Sequence, residues 1–245
     1  MPLRNIAENL RRIEERICGA VARAGRVRSE ITLIGVAKTH GAEAIREAYE
    51  AGVRHFGENR VQEWEGKRGE VASLGGAVWH LIGHLQSNKA GRAAGIFDCV
   101  DAVDDFAVAE RLRRAWGEGA GDVTAAGKWA KARLRVLIEV RVAREETKSG
   151  VAIDALAELA ERVVAMEGLE LAGLMCVPPY LEEAERVRPY FALLREAREG
   201  LQAKLGMELP VLSMGMSHDF EVAIEEGATE VRVGTGLFGE REKAK

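Results

Sequence analysis

Eight short apolar runs punctuate this chain, and a longer stretch separates each from the next. The runs are residues 31–37, 53–57, 78–82, 97–101, 134–140, 169–175, 210–214 and 230–234. Near-continuous short apolar runs of this kind read as buried parallel strands. The intervening segments carry helical periodicity: in residues 153–166, Ile153, Leu156, Ala160 and Val163 share one face. Eight strands alternating with helices in 245 residues predict a (β/α)8 barrel, a single domain over residues 1–245. A doubly wound open sheet is the alternative, but no G-x-G-x-x-G follows the first run.

Ahead of the first run, Ile6, Leu10, Ile13, Ile17 and Val21 form an i, i+3/i+4 stripe, which predicts an amphipathic N-terminal helix. The last run ends at residue 234 of 245, so little chain follows it for a long eighth helix. The N-terminal helix is expected to fill that gap in the outer ring. Residues 117–127 are rich in Gly and Ala without an apolar period, and read as a mobile loop before the fifth strand.

The net charge of −4 comes from interspersed charges of both signs, with no basic stripe, which argues against nucleic acid as a partner. No apolar run is long enough to span a membrane, and Met1–Ile6 lacks the apolar region of a signal peptide. Cys18, Cys99 and Cys176 are odd in number, widely spaced and without a C-x-x-C pair. That pattern points to a reducing, cytoplasmic setting, and against a disulfide framework or a zinc site.

In a barrel of this type, chemistry gathers at the C-terminal ends of the strands. Lys38 follows the first run, and an ammonium at the mouth of a buried strand is costly to desolvate. A partly desolvated lysine keeps a neutral, nucleophilic fraction suited to a Schiff base, although a lysine that snorkels to solvent is the plainer reading. Later strands bring Glu58, Asn59, His80, Met175, Ser213, Ser217, Arg232, Gly234 and Thr235 towards the same mouth. Glycines with serine or threonine after the seventh and eighth strands suit a phosphate cradle.

Seven ordered blocks carry a resemblance. They are Gly35-Val36-Ala37-Lys38-Thr39, the stretch from His55 to Glu63, Trp79 to Lys89, Thr147-Lys148-Ser149-Gly150, Gly173-Leu174-Met175, Leu212 to Asp219, and Val231 to Gly239. The chain resembles the pyridoxal phosphate homeostasis protein family, relatives of the barrel domain of alanine racemase. The resemblance implies pyridoxal 5′-phosphate (PLP) joined to Lys38 as a Schiff base. Ser213, Gly234 and Thr235 would hold its phosphate, and Arg232 would face the pyridine nitrogen. Asn59, His80 and Met175 would line the pocket. Ser217 belongs to the same set or caps the following helix, with Glu221 in its first turn. The implied role is buffering PLP and delivering it to PLP-dependent apo-enzymes.

The chemistry bears on binder against enzyme, and Arg232 suits either a carrier or a racemase that avoids a stable quinonoid. A guanidinium stays protonated and cannot accept the ring proton, so Arg232 implies an unprotonated ring and a weaker electron sink. A two-base racemase also needs a second base, and of Tyr49, Tyr180 and Tyr190 only Tyr180 has a route to the mouth. A PLP carrier acting as a monomer is therefore expected. A weak racemase, or a barrel enzyme that uses Lys38 as an aldolase-type amine on a phosphorylated metabolite, is the alternative.

Plainer roles are expected elsewhere. Met175 taken alone reads as a core methionine and Cys176 as a packed thiol. Glu58 should pair with Arg60 or a nearby lysine. Lys148 reads as a solvated side chain within possible reach of the phosphate. His80 and His84 lack the helical spacing of a metal motif.

Overall fold

The structure is a computed structural model that describes residues 5–119, 133–143 and 149–239. Its eight parallel strands close into a barrel in chain order. They are β1 (Thr32–Val36), β2 (His55–Glu58), β3 (Val78–Leu81), β4 (Cys99–Val103), β5 (Leu134–Glu139), β6 (Leu169–Met175), β7 (Val211–Met216) and β8 (Glu230–Val233). Helices α2 (Ala42–Glu50), α3 (Val61–Lys67), α4 (Ala90–Ile96), α5 (Phe106–Gly119), α6 (Ile153–Val164), α7 (Arg188–Leu205) and α8 (Phe220–Glu225) connect them, and α9 (Thr235–Phe238) follows β8. The expected (β/α)8 architecture is the observed one.

Some boundaries move. The second and fourth strands begin two residues later than their apolar runs, because Val53 and Phe97 are buried as connectors beneath the helices. Phe97 packs 6.2 Å from Trp64, which stacks on Trp79 at 3.9 Å, and Trp79 stacks on Phe56 at 5.0 Å. That aromatic layer joins the outer face of β2 and β3 to α3. In α6 the buried face is Leu156, Leu159, Ala160 and Val163, and Ile153 at its first position is exposed. Residues 117–119 belong to α5 rather than to a loop; the rest of the Gly-rich segment, and Lys148, lie outside the described residues.

The opening helix, α1 (Ile6–Arg23), buries Ile6, Leu10, Ile13, Ile17, Ala20 and Val21. It packs on α8 and α9, the two short helices beside β8, and so fills the gap as expected. Asn9 Nδ2 donates to the Leu237 carbonyl at 3.0 Å, and Arg16 forms an ion pair with Glu221 at 2.8 Å.

Inside the barrel, Ala102, Leu137, Ala172, Met175 and Val211 form an apolar cluster apart from the main core. Beside it runs a polar network. His55 Nδ1 lies 3.0 Å from His80 Nε2, His80 Nδ1 lies 2.9 Å from Asp101 Oδ2, and Arg135 lies 3.5 Å from Glu230.

One close approach fixes a residue choice. A Cβ on Gly173 in β6 would lie 1.9 Å from the Val211 carbonyl oxygen in β7. Gly173→Ala must push two registered strands apart, at a cost of about 1–3 kcal/mol or more. Thermal denaturation should show a clearly lower midpoint; an unchanged one would mean that β6 and β7 separate freely.

Candidate functional site

Lys38 sits half-buried in a turn just beyond β1. The next residue, Thr39, has φ 65°, the one positive φ among the described non-glycine residues. A left-handed threonine costs roughly 1–2 kcal/mol, so something must hold the turn. Lys67, at the end of α3, does so. Its Nζ donates to the carbonyls of Ala37 at 2.9 Å and His40 at 3.0 Å, bracketing Lys38, and lies 2.7 Å from Glu58 Oε1. The His40 ring stacks on Phe238 of α9 at 4.9 Å. Glu58 is fully buried, and burial pushes its carboxyl up to about 7 against the opposing pull of Lys67. The expected ion pair of Glu58 is thus with Lys67; Arg60 instead meets Glu63 at 4.0 Å.

Arg232 points into the barrel from β8 and is 4% exposed. Its guanidinium donates to Ser213 Oγ at 2.8 Å and to the Cys176 carbonyl at 2.7 Å, which fixes its plane beneath the mouth. Met175 ends β6 and is fully buried in the inner cluster. The Cys176 thiol beside it is pushed up to about 12 by burial. His80 is 1% exposed, with both ring nitrogens engaged. Burial opposes its imidazolium, but the charges of Asp101 and Cys99 outweigh that and raise it well above the ordinary histidine range. His80, Cys99 and Asp101 form the one cluster of metal-ligand types among the described residues. Hydrogen bonds already occupy both imidazole nitrogens, so the cluster reads as part of the internal network.

The seventh and eighth strands build the donor cradle. Ser217 Oγ accepts from the Gly236 N–H at 3.2 Å and lies 3.5 Å from Thr235 Oγ1, at the start of α9. Ser213 is fully buried, and its Oγ accepts from Arg232. One expectation changes here. Ser217 does not cap α8, whose N-cap is Asp219; it faces Thr235 and Gly236 because Asp219 takes the turn by accepting the Met216 N–H at 2.6 Å. Asn59, just beyond β2, lines a cavity of about 540 Å³ with Gln62, His84, Gln86 and Lys89. Tyr180 is 75% exposed on the rim, its ring 5.3 Å from His218.

Residues 2–242 match the family model described as the alanine racemase N-terminal domain. A pyridoxal phosphate homeostasis protein of Aquifex aeolicus is 46% identical over 238 residues, covering 97% of this chain and 99% of that one. Its counterpart in Pseudomonas aeruginosa is 43% identical, covering 97% and 96%. The chain belongs to the pyridoxal phosphate homeostasis protein family. Among solved structures, PipY of Synechococcus elongatus with PLP bound superposes with a TM-score of 0.79 at 38% identity, covering 96% of this chain and all of that one.

For this pyridoxal phosphate homeostasis protein family member, the strand ends bring Lys38, Arg232, Ser217, Gly234 and Thr235 to the barrel mouth, with Met175, Ser213 and His80 below it. Sequence reading passes over Lys67, Asp101 and Glu139. Lys67 looks like any helix-terminal lysine, and only its fold-back onto the Lys38 turn reveals its task. Asp101 and Glu139 do carry a signal: each is a carboxylate inside an apolar strand, where an acid needs a partner.

Proposed function

We propose that the chain binds PLP reversibly at the barrel mouth and serves cellular PLP homeostasis by holding the cofactor and handing it to PLP-dependent apo-enzymes. The observation that carries this reading is the meeting of an amine, a buried guanidinium and a hydroxyl–amide cradle at one end of a closed barrel. An aldehyde, a pyridine nitrogen and a phosphate require those three kinds of partner, so the donor set fits the group. PLP supplies an aldehyde and an electron-accepting ring; the protein determines how it is held. Lys38 is the covalent anchor, and its turn is pre-set by Lys67. Ser217, Thr235 and the backbone around Gly234 hold the phosphate at the start of α9. Arg232 donates towards the ring nitrogen, and its link to Ser213 keeps it aimed. Met175 and His80 support the ring from below, and Asn59 flanks it.

Arg232 suits a carrier, or a racemase that avoids a stable quinonoid, and we favour the carrier because no second base is placed at the mouth among the described residues. A donor at the ring nitrogen leaves that nitrogen unprotonated and the sink weak. We place the protein in the cytoplasm as a monomer; no described helix is long and apolar enough to cross a membrane.

Purified protein mixed with PLP should take on visible absorbance, and borohydride should then fix a pyridoxyl group on the peptide containing Lys38. Lys38→Ala should not be labelled. Absence of uptake, or undiminished labelling of Lys38→Ala, overturns the reading. Loss of the α-deuteron from labelled alanine should run no faster than with free PLP; faster turnover that depends on Lys38 would favour an enzyme.

A further inference from the structure

We propose that Glu139 is a ligand-contacting residue of the barrel mouth, hydrogen-bonding the bound molecule through its buried Oε2 and so governing how firmly that molecule is retained. This rests on the reading that the mouth takes PLP.

Glu139 is the last residue of β5, at the end of the barrel where the strands' C-termini gather. It follows Leu137 of the inner cluster by two, so its side chain points into the barrel. Its registered neighbour is Met175, which in turn neighbours Ser213. The residue is 4% exposed. Its Oε1 accepts from Ser149 Oγ at 2.8 Å, while Oε2 is buried with no hydrogen-bond partner among the described residues. A buried, unsatisfied carboxyl oxygen is costly, and buried polar side chains in native proteins almost always have a partner. Its position identifies that partner as whatever occupies the mouth.

Charged and polar groups face Glu139 from several elements: Asp104 beyond β4, His84 beyond β3, Arg232 on β8 and Ser149 on its own loop. Burial raises the carboxyl above the ordinary range, and Asp104 adds to this; Ser149, Arg232 and His84 oppose it without cancelling it. The group therefore keeps a proton to higher pH than an exposed glutamate. A neutral acid donates to a ligand oxygen, whereas its ionised form would repel an anionic, phosphate-bearing ligand. Retention contributed by Glu139 is thus fullest at low pH and is lost as the carboxyl ionises.

The test is the PLP dissociation constant of wild type, Glu139→Gln and Glu139→Leu from pH 5.5 to 8.5. Lys38 and the ligand bring their own pH dependence, so the readout is the ratio of wild type to Glu139→Gln. Glutamine keeps a donor that does not ionise. The ratio should rise with pH, by up to about tenfold across the range, as loss of one charge-linked hydrogen bond implies. Glu139→Leu should bind more weakly than Glu139→Gln throughout. Thermal melts without PLP should show both variants folded, with no loss of stability, since an unsatisfied carboxyl has been removed.

A ratio independent of pH, or equal binding by Glu139→Leu and Glu139→Gln, overturns the proposal. If wild type is labelled at Lys38 while the ratio stays flat, only the role of Glu139 fails. If wild type takes up no PLP, the reading of the site fails with it.

Discussion

Removing residues 1–25 should unfold the barrel. Helix α1 buries six apolar side chains, among them Ile13 at 3% and Ile17 at 0% exposure. Loss of a single such isoleucine to alanine costs about 2–5 kcal/mol. Several together exceed the roughly 5–15 kcal/mol that holds a domain folded. The truncation also uncovers the sides of α8 and α9 that pack on α1, including the Phe220 ring beneath the Arg16 guanidinium. The truncated protein should show dye-binding apolar surface and no cooperative melt. A milder check is Ile17→Ala, which should lower stability in urea by about 2–5 kcal/mol. A truncated protein that melts as wild type does would show that α1 is only an appendage.

The second large effect concerns the clamp on the Lys38 turn. Lys67→Met leaves Glu58 fully buried without its counter-charge, and breaking a buried pair in this way costs about 3–5 kcal/mol. The cost depends on pH in a definite direction. The Glu58 carboxyl titrates at about 7 in the fold, above the ordinary glutamate value it recovers on unfolding. The native state therefore binds more protons between those two values. The contribution of Glu58 to stability is complete below the unfolded value and is lost as pH rises through about 7. Without Lys67 that loss deepens, so Lys67→Met should be most damaging near pH 8 and least near pH 5. Adding Glu58→Gln should recover much of the stability at pH 8. Urea titrations at the two pH values decide it; an equal loss at both would mean that the pair is not the source. The variant should also react more slowly with PLP at Lys38, because the carbonyls of Ala37 and His40 lose their common donor.

The barrel was legible because its strands are buried on both faces and appear as apolar runs. The same property hid where each strand starts. Val53 and Phe97 are as apolar as strand residues but pack as connectors, and hydropathy cannot tell the two apart. Lys38, Arg232 and Thr235 stand out as a charge or hydroxyl at the end of an apolar run, and the fold brings them to the same end of the barrel. The roles of Ser213 and Ser217 were not legible, since both are serines of one short segment. Their division follows from the strand pleat, which turns Ser213 inward onto Arg232, and from Asp219, which takes the helix cap and leaves Ser217 facing Thr235. Lys67 was invisible because its partners are backbone carbonyls 27 and 30 residues away, which no local pattern encodes.

The packing of Cys176 bears on chemical selectivity. Thiolates capture aldehydes, and a reactive sulfur next to Arg232 would compete with an amine for the same carbonyl carbon. The thiol is fully buried and held to about 12, so at neutral pH it stays protonated and shielded, while its main-chain oxygen serves only to aim the guanidinium. The Cys176 side chain packs in the main core while Met175 belongs to the inner cluster, so β6 turns its soft nucleophile away from the barrel interior. A cofactor held through the proposed Schiff base, which water or another amine can reverse, would not be diverted into a sulfur adduct.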